Sequence, residues 1–217
     1  MSSSPAAVLF DLDGVLLDSR RAMRQAVLGV ASAMLGKFLA ESELPAGLDH
    51  LRHDELLAHL GVADEEVAFG MAWEIALGVA MRNASPFPGA VEVLQDLAAA
   101  GTEIGVVTMQ PRSRVASIVP QELSSYFTVV VGWGDAEPKP SGAGIELALD
   151  RLGVPPDRAC FVGDSPSDIA AASAAGVRSI GAAWGYTGAA LESCDPTVLL
   201  HALTHVPDAA KRLLGLW

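Results

Sequence analysis

The chain has 217 residues, 51% hydrophobic and 18% charged, and its 14 Lys and Arg against 26 Asp and Glu give a formal net charge of −12. That apolar content excludes a disordered chain, and the length suits one sizeable core with a smaller second lobe. The acidic balance argues against nucleic acid or an anionic membrane as partner; a small anionic substrate stays open, because a metal or a lysine reverses the field locally.

Val8-Leu9-Phe10 is an apolar run that stops at Asp11 and reads as a buried strand, with Gly14 as the turn after it. From Arg20 to about Leu39 the period becomes helical, with Met23, Val27, Val30, Met34 and Phe38 on one face. Asp18 or Ser19 is the expected N-cap. Further helices are expected over 54–60, ended by Gly61, and over 64–81. No strand signal falls between 18 and 84. The Ala and Met on these helices suit a tight bundle better than a dimer face, and oligomeric state is not readable.

Pro86-Phe87-Pro88-Gly89 punctuates the chain, and strict alternation follows. Helices are expected over 90–100, 112–123 (interrupted near Pro120), 143–152 and 169–175. Strands are expected over 104–107, 129–131, 160–162 and 178–183. The segment 191–217 reads as a packed terminal helix. Such alternation indicates parallel βαβ units, and strands read as short continuous apolar runs are as expected when helices cover both faces. The expected architecture is α/β: a Rossmann-like doubly wound parallel sheet from residues 1–17 and 86–217, with an all-helical cap, 18–85, inserted after the first strand.

Cys160 lies in the run Ala159-Cys160-Phe161-Val162 and reads as a buried free thiol. With Cys194 it offers neither CxxC spacing nor the Cys/His cluster of a zinc site. A reducing, cytoplasmic setting is expected. Met1-Ser2-Ser3-Ser4-Pro5 lacks the basic and apolar parts of a signal peptide. The most apolar stretch, 27–35, falls short of the roughly 18 residues of a spanning helix.

Six polar residues share one location, the carboxyl ends of expected strands. Asp11 and Asp13 follow the first strand, Thr108 ends the second, Lys139 lies after the third, and Asp164 and Asp168 follow the fourth. In open parallel sheets this is where ligands bind. Taken singly each has an ordinary explanation: a strand end, a helix N-cap at Asp168, a surface lysine. Together they are more pointed. Asp11 and Asp13, two apart on extended backbone, project to one side and repel unless a cation or a proton intervenes. One held ionised and one protonated make a nucleophile and a general acid for chemistry at a phosphate. Hard cations such as Mg²⁺ take oxygen ligands of this kind. Lys139, between Pro138 and Pro140, and Thr108 supply positive charge and hydrogen bonds for phosphoryl oxygens.

These residues resemble the motifs of the haloacid dehalogenase-like superfamily of phosphohydrolases, in the branch of phosphoglycolate phosphatase-like and β-phosphoglucomutase-like proteins. Phe10-Asp11-Leu12-Asp13-Gly14-Val15-Leu16 is similar to its first motif, Thr108 to the second, Pro138-Lys139-Pro140 to the third and Gly163-Asp164-Ser165-Pro166-Ser167-Asp168-Ile169 to the fourth. Pro86-Phe87-Pro88-Gly89 and Trp184-Gly185-Tyr186 are similar to other segments of this branch, so the resemblance spans residues 10–186. It implies Asp11 as nucleophile and metal ligand, and Asp13 as acid and base with its carbonyl on the metal. It further implies Asp164 on Mg²⁺, Asp168 supporting that site directly or through water, and Thr108 and Lys139 on the phosphoryl group. The helical segment would be a mobile cap. The implied activity is a Mg²⁺-dependent phosphatase acting on a small phosphorylated metabolite. A phosphomutase would use the same residues; a catalytically silent module on the same fold is disfavoured by the presence of Asp11. A receiver domain is too short and lacks the insertion, and Asp13 argues against dehalogenase and phosphonate chemistry. Met109, followed by polar Gln110, and the glycine-rich Ser141-Gly142-Ala143-Gly144 depart from the pattern. Arg52 and His53 are candidate substrate contacts, with ordinary surface positions the simpler reading.

Overall fold

The structure, a computed structural model, describes residues 5–44 and 53–216. Contacts divide the chain into two compact units, residues 1–17 with 86–217, and residues 18–85. The first contains a six-stranded parallel sheet. Its strands are β1 (Ala6–Phe10), β4 (Thr102–Val107), β5 (Val129–Val131), β6 (Ala159–Gly163), β7 (Arg178–Ala182) and β8 (Val198–Leu200), in the order β5-β4-β1-β6-β7-β8. Two short strands, β2 (Leu17–Asp18) and β3 (Ser85–Pro86), pair where the chain leaves this unit and returns.

Side chains alternate across the strands and build two cores. Val8, Phe10, Val106, Cys160 and Val162 pack with helices α5 (Ala90–Ala99) and α10 (Val206–Leu214) on one face. Ala7, Leu9, Val107 and Phe161 pack with α8 (Ala143–Leu152) and α9 (Pro166–Ala174) on the other. Burial on both faces explains the uninterrupted apolar strands. Phe10 and Phe161 are among the largest fully buried side chains, each worth about 2 kcal/mol of burial. Phe10 directly precedes Asp11, and Phe161 lies three residues before Asp164. Helices α6 (Arg112–Ile118) and α7 (Gln121–Ser124) part at Pro120, as expected. The glycine-rich run after Lys139 serves close packing: a Cβ on Gly142 would lie 2.6 Å from the Ala175 backbone nitrogen.

The second unit holds α1 (Arg20–Leu35), α2 (His53–His59), α3 (Glu65–Phe69) and α4 (Met71–Ala80). Its buried side chains include Ala22, Ala26, Val27, Val30 and Ala31 of α1, Leu56 and Leu57 of α2, and Trp73 and Leu77 of α4. Ser19 is the N-cap residue of α1, and the Asp18 carboxylate accepts from the Arg20 N–H at 3.3 Å.

Several boundaries differ from the sequence reading. Helix α1 stops at Gly36, left-handed and bonded back to the Ser32 carbonyl, so Phe38 leaves the helical face and is 88% exposed. Met34 is exposed too: Val27 and Val30 of the expected face are buried, but the rest of the buried stripe is Ala22, Ala26 and Ala31, which the larger residues mask in a periodicity count. The helix expected over 64–81 breaks into α3 and α4 at Gly70, whose backbone is extended. Helix α9 begins three residues early, at Pro166, because Ser165 and Asp168 form a capping box. Strand β8 was not expected: its three residues are only half-buried. Cys160 and Cys194 are free, the former buried, and no helix among the described residues is long and apolar enough to cross a membrane.

Candidate active site

The sheet ladder continues for one residue past two strand ends and thereby places two side chains. The Asp11 N–H donates to the Val162 carbonyl at 2.8 Å, and the Thr108 N–H to the Val131 carbonyl at 3.0 Å. Both residues are buried. Because β4, β1 and β6 are neighbours, Thr108, Asp11 and Asp164 emerge side by side.

Asp11, Asp164 and Asp168, all buried, bring carboxylate oxygens within 4.8 Å of one another. Lys139 enters from the loop after β5, at a cis Lys139–Pro140 bond. Its Nζ lies 2.9 Å from Asp11 Oδ1 and 2.5 Å from Asp168 Oδ1, and 5.6 Å from the centre of the Phe161 ring. Asp168 Oδ2 accepts from the Ser165 N–H at 3.0 Å and from the Ser165 hydroxyl at 2.6 Å. Asp164 Oδ2 accepts from the Tyr186 N–H at 2.7 Å.

Two glycines form a wall against Asp164. A Cβ on Gly14 would sit 2.2 Å from Asp164 Oδ2, and one on Gly185 would sit 2.3 Å from Asp164 Cβ. Gly14 also has φ +81°, a conformation that strains any other residue. The Trp184 indole N–H donates to the Val15 carbonyl at 3.1 Å and ties the second glycine's loop to the first.

The charges do not balance among these residues. Burial pulls the Lys139 ammonium down, but the carboxylates of Asp11 and Asp168 outweigh it and hold its pKa above the ordinary value. Burial raises Asp11 well above the usual carboxylate range; Lys139 opposes this, and Asp168, Asp164 and Asp13 add to it. Burial, then the Asp168 charge, pushes Asp164 up to about 7 against the Tyr186 hydrogen bond. One ammonium faces three buried carboxylates. A hard divalent cation with oxygen ligands fits this donor set, and the bare backbones of Gly14 and Gly185 leave room for the Asp164 side chain that would contribute to it.

Asp13 stands apart from the three. It is half-buried, and its Oδ2 accepts from Gln110 Nε2 at 2.7 Å. Thr108 Oγ1 accepts from the Gln110 N–H at 3.1 Å. Met109 turns outward and is 46% exposed, so Thr108 and Gln110 share the inner side. The structure thus gathers Asp11, Lys139, Asp164 and Asp168 in direct contact or close approach, with Thr108 on the next strand and Asp13 on the following loop. Sequence reasoning gave no role to Ser165, Arg114 or the Gly14–Gly185 wall. The capping pattern Ser165-Pro166-Ser167-Asp168 carries a signal for the first; the others depend on contacts between distant segments.

His53 is absorbed elsewhere. In the helical unit its ring stacks on Trp73 (4.1 Å between centroids, 7°) and meets Phe69 edge-on (5.2 Å, 70°), with Nε2 3.0 Å from the Ala68 carbonyl. Arg52 lies outside the described residues.

A family model described as haloacid dehalogenase-like hydrolase matches residues 8–182. A phosphoglycolate phosphatase of Xanthomonas campestris pv. campestris is 38% identical over 84% of this chain and 85% of its own length. One of Pseudomonas putida is 31% identical over 98% and 82%. Among solved structures, a HAD-family hydrolase of Deinococcus radiodurans with bound phosphate and sodium superposes with a TM-score of 0.74 at 27% identity, covering 99% of this chain and 98% of that one.

Proposed function

The chain belongs to the haloacid dehalogenase-like hydrolases, and from that membership we propose that it is a Mg²⁺-dependent phosphatase of a small phosphorylated metabolite, working through a phosphoaspartate on Asp11. The observation that carries this reading is the buried group Asp11, Asp164 and Asp168 around a single Lys139.

Asp11 attacks phosphorus in line. A bond forms from its Oδ to phosphorus as the bond from phosphorus to the substrate oxygen breaks, and that oxygen leaves with the proton of Asp13. Asp13, now a carboxylate, takes a proton from water. The water oxygen bonds to phosphorus, the Asp11–phosphorus bond breaks, and inorganic phosphate leaves. Lys139 Nζ and the Thr108 hydroxyl bind the equatorial oxygens, where charge is spread and positioning does most of the work. Asp168 holds Lys139 from one oxygen while Ser165 fixes the other. The residues that would hold Mg²⁺ are Asp11, the Asp13 carbonyl and Asp164, supported by Asp168; the ion would supply neutralisation of phosphoryl charge. The helical unit is assigned substrate selection. The free thiols fit a reducing, cytoplasmic setting.

The names of the curated relatives make 2-phosphoglycolate the first substrate to assay. Phosphate release from it and from 4-nitrophenyl phosphate is expected with Mg²⁺ and is suppressed by chelator. Asp11→Asn lowers turnover by at least about a thousandfold. A wild-type protein as inactive as Asp11→Asn on every phosphate ester tried overturns the reading. Phosphate released in proportion to substrate consumed separates a phosphatase from a mutase.

A further inference from the structure

Resting on that reading, we propose that Gln110 is a positioning residue for Asp13, and that Arg114 fixes the direction in which the Gln110 amide points. Gln110 is 6% exposed. Its Nε2 donates to Asp13 Oδ2 at 2.7 Å, and its Oε1 accepts from Arg114 Nη1 at 2.6 Å. A primary amide has a donor end and an acceptor end, whereas a guanidinium only donates and a carboxylate oxygen without a proton only accepts. Arg114 therefore selects the amide orientation: flipped, the amide would set donor against donor and acceptor against acceptor.

The backbone of Gln110 is pinned as well. Its N–H donates to Thr108 Oγ1 at 3.1 Å, and its carbonyl accepts from the Trp133 N–H at 3.0 Å. The turn that carries Thr108 thus also carries the group that aims Asp13. Donation into Oδ2 fixes the rotation of the Asp13 carboxyl, and with it the direction in which the acid is presented to the leaving group. A side chain that turns a carboxyl in this way matters in proportion to how much the departing oxygen needs a proton. That dependence distinguishes aiming from mere support of the fold.

The test uses a series of aryl phosphates from phenyl to 4-nitrophenyl phosphate, with kcat/KM measured for wild type, Gln110→Met, Arg114→Met and Arg114→Lys, and thermal unfolding of each. Poorer leaving groups depend more on the acid. Gln110→Met, close in shape but without the amide, is expected to lose about 10- to 100-fold on phenyl phosphate and less than about threefold on 4-nitrophenyl phosphate. Arg114→Met steepens the same trend by a smaller amount, and Arg114→Lys, which keeps a donor, restores part of it. If Gln110→Met fails to fold, the Arg114 pair carries the test. An equal loss across the series in a folded, active variant overturns this inference alone. An inactive wild-type protein overturns the phosphatase reading and this inference with it.

Discussion

At the carboxyl ends of the sheet, Asp11, Asp164 and Asp168 are buried close together around the ammonium of Lys139; in the helical unit, the half-buried His53 ring packs against groups that complement it. Around Asp164, beside the two glycine backbones, burial and the like charges of Asp168 and Asp13 outweigh the Tyr186 N–H and the more distant Lys139 charge. Around His53 the neighbours are two aromatic rings and a carbonyl. Burial alone therefore does not mark a functional group. What marks it is burial among neighbours that leave a demand unmet, since an uncompensated buried charge is costly. His53, a candidate on sequence, meets the opposite condition and reads as packing.

That contrast breaks most readily at Gly14. Gly14→Ala places a methyl where Asp164 Oδ2 now lies and adds backbone strain of about 1 kcal/mol. Mg²⁺ affinity is expected to fall about 10- to 100-fold, read from Mg²⁺ titrations of both turnover and melting temperature. An unchanged Mg²⁺ dependence would remove Asp164 from the metal site.

A sharper version varies pH. Asp164 in the folded, ion-free protein titrates at about 7, above an unfolded carboxyl near ~3.9. Its raised value means that the associated stability is complete below the unfolded pKa and is lost as pH rises through about 7. Mg²⁺ competes with that proton. The rise in melting temperature on adding Mg²⁺ is therefore larger at pH 8 than at pH 5, by a few degrees. Equal Mg²⁺ shifts at both pH values would contradict the assignment.

The smallest effect belongs to the helical unit. His53→Ala removes a ring stack and is expected to cost about 1–2 kcal/mol of stability. It leaves kcat/KM for 4-nitrophenyl phosphate within about threefold of wild type. A selective rise in KM for 2-phosphoglycolate with unchanged melting would return His53 to the list of substrate contacts.

Much of the sheet is legible in the sequence for one reason: strands β1, β4, β5 and β6 each hold a run of consecutive apolar or glycine residues that stops at a polar or glycine residue. Strand β8 is illegible because an edge strand half-open to water, Val198–Leu200, carries no such contrast. Helix lengths err where a large apolar residue continues the period past the true stop, as Phe38 does beyond Gly36. Within the site, residues that end a strand can be placed from local pattern alone. The link from Gln110 to Asp13 spans 97 positions, and local pattern carries no trace of it. The wall that Gly14 and Gly185 build against Asp164 is hidden for the same reason.

The order β4-β1-β6 at the centre of the sheet has one more implication. Thr108, Asp11 and Asp164 are spaced by the repeat of neighbouring strands, about 4.8 Å, and not by the lengths of their own side chains. Whatever is spliced between Leu17 and Pro86 has no purchase on that ruler. That spacing belongs to the sheet alone, so a change confined to residues 18–85 would leave it in place.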